Sequence, residues 1–393
     1  MAILFISGLH LNNGQSSSGG NAVYGIAEAL CKYAQEDVEL VSHPNVPSFP
    51  NGPLWIRRKE DSFGCNHKIQ ILPTLNLKII KSKLWGLECK KIIKEWADCH
   101  RGEVLKVLVY NTYHPSIDSL YAACQSVGAR LYAILYDLGV PPKRLGMSWL
   151  TMFGYRMAEK VAEKYIPLLD GRIIINELIA EHYAPGKDYI LVDGGINRQV
   201  INHLFSLEEK KDDVYTFVLA GMLWDQNGTK LVLDAMRQYK NPNVRVVFAG
   251  KGNDVPLIQE TTERDNRIKY VGMLNMDDLF KLYEQADVLL NLRLEEEVDF
   301  HFPGKLLEYL ATGRYVISTP VAHAERDYGE YMAVLYDKTP VGLIRLMELV
   351  IHSGKRHLYE KGNSARQFML EYRTWDVQTK RILEYMSPKV NEA

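Results

Sequence analysis

Lys305 and Glu308 stand in FPGKLLEYLATG, residues 302–313. Glu308 lies four positions from Gly304, so on a helix it projects from the same side as the helix start. Pro303 suits a helix start and Gly313 a helix stop, so the spacing predicts a short helix over residues 304–312. Free N–H groups and the positive end of the helix dipole collect at its start, around Gly304, which favours an anion such as a diphosphate. A lysine in the first turn works against that dipole, and makes sense where a polyanion occupies the site. Glu308, one turn further on, is placed to accept hydrogen bonds from ribose hydroxyls. Arg293 leaves the end of the apolar strand predicted at 286–290, and arginine suits bidentate phosphate contact. The alternative is an ordinary βαβ corner with a plain helix cap.

The surrounding elements alternate. Strands are predicted at 2–6, 69–72, 107–110, 130–135, 172–175 and 189–192, with helices at 21–33, 82–98 and 148–165. A second series follows, with strands at 215–220, 244–249, 268–271, 286–290 and 315–319 and helices at 229–239, 277–285 and 304–312. Helices over 341–353, 358–372 and 375–386 end the chain. Residues 43–75 read as irregular connections around one strand. This alternation argues for an α/β protein of two doubly wound, parallel-sheet, Rossmann-like domains facing a cleft. The expected division is residues 1–195, residues 196–374 and a terminal segment, 375–393, returning to the first domain.

FPGKLLEYLATG followed by YVISTP resembles the donor-binding motif of retaining GT-B glycosyltransferases of group 1 type. That motif is commonly E-x7-E, with a variant close to F-P-S-K-x-x-E-Y-x-A-S-G. The resemblance makes Glu308 the ribose-binding second glutamate and puts Phe300 where the first would stand. It implies the GT-B fold and metal-independent hexosyl transfer with retention from a nucleotide sugar, UDP-linked rather than GDP-linked, with no further cofactor. The acceptor would be a saccharide or a lipid-linked saccharide of surface polysaccharide or lipopolysaccharide synthesis. Where the family often reads G-R-L-x-x-x-K-G, this chain has GMLWDQNG, with Met222 and Asn227 in place of the phosphate-binding cations. No D-x-D metal motif occurs, so Arg293 and Lys305 are the cations left to meet the diphosphate. Gly221, Asn227, Gly304 and Leu307 complete that donor site, with the base against the loop at Val271 and Met273.

In the first domain, the polar loop after the opening strand carries Gly19 and Gly20, where backbone N–H groups would come close to a ligand. A merely flexible loop is the alternative. His114 and Asp137 each lie just past a strand's carboxyl end, the edge where open α/β sheets bind ligands. In the resembled family a histidine near that place lies by the reacting sugar, so His114 would orient the acceptor or share its proton, with Asp137 beside it. A loop histidine without that role is the alternative. Around 81–94, lysines cluster beside Trp85 and Trp96. Such a helix can lie on an anionic membrane surface, or be a solvated face with its tryptophans in the core.

Composition sets outer bounds. The 393 residues exceed one typical core, and 47% hydrophobic with 24% charged residues describes a globular protein. A net charge of −1 gives no argument for nucleic acid. The five cysteines form no C-x-x-C pair, so neither a disulfide framework nor a zinc site is indicated. The sequence reads with neither a membrane span nor a basic leader, so the cytoplasm is the expected location, with the inner face of the membrane as the alternative. A non-catalytic sugar-binding relative and a nucleotide-sugar 2-epimerase are the two competing functions. Phe300, Met222 and Asn227 favour the former, and the F-P-G-K-x-x-E run speaks against the latter.

Overall fold

The computed structural model describes residues 1–8, 18–44, 46–63, 67–78, 80–112, 116–136, 138, 149–294 and 302–387. They divide into two compact units, one of residues 1–195 with 375–393, the other of residues 196–374.

The first unit runs β1 (Ala2–Ser7), α1 (Ser18–Tyr33), β2 (Asp37–Ser42), β3 (Trp55–Ile56), β4 (Lys59–Phe63), β5 (His67–Ile71) and β6 (Thr74–Leu75). It continues with α2 (Lys81–Cys99), β7 (Leu105–Tyr110), α3 (Ile117–Val127), β8 (Arg130–Leu135), α4 (Trp149–Tyr165), β9 (Gly171–Ile174), α5 (Glu177–Tyr183) and β10 (Ile190–Leu191). Eight strands form one sheet in the order β10-β9-β8-β7-β1-β2-β5-β4. Every residue of β1 and β7 is buried, as expected of central parallel strands covered on both faces.

The reading of residues 43–75 as irregular is corrected here. β4 and β5 form an antiparallel hairpin at the sheet edge, and β3 pairs antiparallel with β6. The sheet is therefore not wholly parallel. KEDSF in β4 is mostly exposed, so it carries no apolar run for a sequence reading to find. β2 was also not foreseen, and is fixed by register with β1 rather than by its own pattern.

The second unit runs α6 (Arg198–His203), β11 (Tyr215–Met222), α7 (Thr229–Gln238), β12 (Val244–Lys251), α8 (Val255–Thr262), β13 (Ile268–Tyr270), α9 (Met276–Gln285) and β14 (Val288–Asn291). Next come α10 (Gly304–Thr312), β15 (Tyr315–Ser318), α11 (Ala324–Tyr328), β16 (Met332–Val334) and α12 (Pro340–Tyr372). The sheet is all parallel, in the order β13-β12-β11-β14-β15-β16. Its order reverses between β11 and β14, the switch point beside which open α/β sheets take ligands. α12 is broken at Gly354, whose φ of 82° and ψ of 155° lie outside the helix, between the two helices expected there.

The last helix, α13 (Trp375–Met386), belongs to the first unit. Its Asp376 accepts from Tyr33 Oη at 2.7 Å and Lys32 Nζ at 3.1 Å on α1. Gly195 lies against the Trp375 indole, where an added Cβ would meet the ring at 2.5 Å. None of the described helices is long and apolar enough to cross a membrane.

Candidate functional site

Helix α10 has the bounds its flanking residues imply. Pro303 stands at the N-cap with extended backbone and makes no side-chain capping bond. Leu306 N–H turns back to the Pro303 carbonyl at 2.8 Å, leaving the amides of the first turn ahead of it for an incoming acceptor. Gly304 is exposed, and a Cβ built on it meets nothing within 4 Å. The helix start is thus open among the described residues. Its far end is anchored. Gly313 takes φ 77° at the stop, and the Thr312 carbonyl accepts from Arg366. Leu306, Leu307, Tyr309 and Leu310 bury the inner face, each large aliphatic contributing about 1.5–3 kcal/mol.

At the carboxyl edge of the sheet, three adjacent strands end in the same way: Ala220-Gly221 on β11, Ala249-Gly250 on β12, and Val271-Gly272 just past β13. All three glycines have positive φ, at 121°, 131° and 74°. Gly250 N–H donates to the Gly272 carbonyl at 2.7 Å, and a Cβ on Gly250 would fall 1.9 Å from the Gly221 oxygen. At Gly250 the strand ends approach too closely for a side chain, while a Cβ on Gly221 would meet the Lys305 side chain and one on Gly272 nothing within 4 Å; the three glycines together leave a bare backbone rim. Only glycine reaches that conformation without strain.

Lys305 lies over this rim. Its Nζ donates to the Ala220 carbonyl at 2.5 Å, and the Tyr309 hydroxyl donates to the same oxygen at 3.2 Å. A Cβ on Gly221 would sit 2.0 Å from that Nζ. The ammonium is therefore fixed at the carboxyl edge by backbone geometry. Tyr283, fully buried, packs edge-on against Tyr309 with ring centroids 5.4 Å apart, stiffening the base of the site.

Lys305 and Glu308 are surrounded by protein while part of each reaches solvent. Burial holds the Lys305 ammonium below the usual lysine pKa, against the opposing attraction of Glu308. Burial likewise raises the Glu308 carboxyl, which Lys305 partly offsets. If the protonated lysine and the ionised glutamate are what bind, affinity falls as pH rises through the lowered lysine pKa. It falls again as pH drops through the raised glutamate pKa. The expected result is a binding window narrower at both ends than free side chains would give. Titration calorimetry with UDP across pH checks this, and Lys305→Arg should move the alkaline limb upward.

The other donor-side candidates divide. Arg293 lies two residues past β14, its N–H donating to Thr319 Oγ1 at 2.8 Å, and Leu294 N–H donates to the Gln226 carbonyl at 2.9 Å. This joins the β14 end to the loop after β11. Val271 and Met273 are exposed beside the glycine rim. Leu307 faces the core, so only its backbone could meet a ligand. Asn227 donates its Nδ2 to the Met222 carbonyl at 2.8 Å, bracing its own loop. Lys251, exposed at the end of β12 in register with Met222, is a cation on this edge that the sequence reading passed over. The repeated apolar residue–glycine strand endings, Ala220-Gly221, Ala249-Gly250 and Val271-Gly272, are the sequence signal for the rim.

In the first unit, Gly19 and Gly20 lie in the first turn of α1, because that helix starts at Ser18 and not at residue 21. They belong to a helix start instead of the loop expected. His114, Asp137 and Phe300 lie outside the described residues.

Residues 214–349 match the family model described as Glycosyl transferases group 1, so the match contains α10 and the glycine rim. No curated protein matches the chain by sequence. Among solved structures, sucrose-phosphate synthase from Thermosynechococcus elongatus is similar at TM-score 0.68 and 14% identity, covering 98% of both chains. HepE from Anabaena, in complex with UDP, is similar at TM-score 0.65 and 13% identity, covering 98% of this chain and 99% of that one. A glycosyltransferase from Rickettsia africae reaches TM-score 0.66 at 13% identity, over 100% of this chain and 99% of that one. At such identities the likeness is one of fold: the architecture is GT-B, with two Rossmann-like α/β units.

Proposed function

We propose that the protein is a retaining glycosyltransferase that moves a hexosyl group from a nucleotide diphosphate sugar to a saccharide or lipid-linked saccharide acceptor. One observation carries this reading: the start of α10, open among the described residues, stands by a glycine rim, with Lys305 held over that rim and Glu308 one turn behind. A diphosphate on the first-turn amides and Lys305 would put the ribose within reach of Glu308. The family match over residues 214–349 supports the reading, because it spans these groups. The structural neighbour holding UDP supports a uridine nucleotide over a guanine one.

In this mechanism, negative charge grows on the diphosphate as the glycosidic bond to the leaving group breaks. Amides already aimed at the helix start, with Lys305 and Arg293, stabilise that charge as it develops, without a metal. Retention follows if the acceptor hydroxyl attacks from the face the nucleotide leaves, which requires no carboxylate nucleophile. We assign acceptor recognition to the first unit, with His114 and Asp137 as its polar groups and surface polysaccharide or lipopolysaccharide as the product class.

A panel of UDP- and GDP-sugars in a thermal-shift assay tests the donor. A donor present at a hundred times its dissociation constant stabilises the protein by about 2.7 kcal/mol. The expected outcome is a rise in Tm with one or more UDP-sugars and a smaller rise with GDP-sugars. No shift with any nucleotide sugar would refute the reading. Binding without turnover across varied acceptors would favour a non-catalytic sugar-binding role.

A further inference from the structure

Residues 46–99 of the first unit carry ten Lys and Arg against five Asp and Glu, in a chain whose overall charge is −1. The positive excess is local. At its edge, the β3–β6 ribbon presents three large apolar side chains to solvent: Phe49 at 49% exposure, Leu54 at 44% and Trp55 at 60%. Exposed apolar groups on a frayed loop would mean little, but this tip is pinned. Asn76, wholly buried, donates Nδ2 to the Pro47 carbonyl at 2.7 Å and to the Pro53 carbonyl at 3.0 Å. Its backbone N–H reaches the Leu54 carbonyl at 2.8 Å, and its carbonyl accepts from Phe49 N–H at 3.0 Å. An ordered loop thus keeps a tryptophan, a leucine and a phenylalanine in water, at a standing hydrophobic cost.

β6 packs against α2, so the ribbon stands beside the basic helix. On α2, Trp85 and Trp96 are buried and serve the core, as the second of the two sequence readings of this helix has it. Its outer side shows Lys90, Lys94 and the half-exposed Leu87. Arg57 adds an exposed cation one residue past β3.

We propose that the β3–β6 ribbon tip and the outer side of α2 dock on an anionic lipid bilayer, with Trp55, Leu54 and Phe49 entering the headgroup layer and the surrounding cations meeting lipid phosphates. A fixed aromatic tip flanked by cations matches what such an interface accepts: amphipathic rings at headgroup depth and basic groups at the charged surface. The proposal is independent of what the nucleotide site does.

Vesicle co-sedimentation of the full chain tests it, comparing phosphatidylcholine alone with phosphatidylcholine containing phosphatidylglycerol. The wild type should bind the anionic vesicles preferentially and lose affinity as salt rises. Trp55→Ser with Leu54→Ser should weaken binding at least tenfold with only a small change in Tm, since about half of each side chain already faces solvent. Arg57→Gln with Lys90→Gln and Lys94→Gln should weaken it by about a hundredfold, given the attraction of each cation near such a surface. Equal binding to both vesicle types, or no effect of the Trp55 and Leu54 changes, would overturn the proposal. Failure to bind either kind of vesicle would overturn it as well.

Discussion

Gly221→Ala should remove most nucleotide affinity and cost about 1–3 kcal/mol of stability, the usual penalty for a side chain forced into a backbone region it rarely adopts. Gly221 holds φ 121°, and its new Cβ would fall 2.0 Å from Lys305 Nζ. A lysine end can swing aside, so the fold survives, but the ammonium then leaves the Ala220 carbonyl and the helix start. Gly250→Ala should cost more stability, because its Cβ meets the Gly221 carbonyl oxygen at 1.9 Å and backbone cannot swing aside. Urea unfolding followed by calorimetric titration with UDP separates the two effects. A Gly221→Ala protein binding UDP as tightly as wild type would show that the rim does not position Lys305 for the ligand.

Lys305→Ala should weaken UDP binding by about tenfold to a hundredfold, the range expected for a charged hydrogen bond of 1.5–3 kcal/mol. Unlike Gly221→Ala, it should change stability little, with the Glu308 carboxyl, no longer offset by the ammonium, taking up a proton more readily. Tyr309 Oη still donates to the Ala220 carbonyl once the lysine is gone, so no buried acceptor is orphaned. Removing the ammonium also ends the desolvation that depresses its pKa. Glu308→Ala should weaken binding through the ribose while leaving the diphosphate contacts in place. A dissociation constant for UDP and a melting temperature, measured on both variants, distinguish loss of site from loss of fold.

The sequence was most informative where local chemistry decides structure. Pro303 and Gly313 bracket α10, and the structure places that helix at Gly304–Thr312 as their types imply. The buried strands β1, β7 and β14 were legible because fully covered strands read as apolar runs. What escaped depended on partners distant in the chain. β4 is polar and exists through its antiparallel pairing with β5, while β2 owes its place to β1. In the site, the lysine and glutamate were readable from spacing, but the carbonyl that fixes Lys305 belongs to Ala220, 85 residues away. Asn227, read as a gap in the cation set, proves to be a brace for the Met222 turn. Only the folded chain reveals why glycine stands at 221 and 250: both take a positive φ, Gly250 lies against the Gly221 backbone, and Gly221 lies under the Lys305 ammonium.

Central to the proposed function is the grip of the amino-terminal end of α10 on a pyrophosphate. A crystal structure of the protein with UDP tests it most directly. The predicted result has the diphosphate oxygens at about 2.7–3.2 Å from first-turn amides of α10 and from Lys305 Nζ, with a ribose hydroxyl on Glu308. A nucleotide bound elsewhere on the chain, with the Gly304 amide left to water, would contradict it.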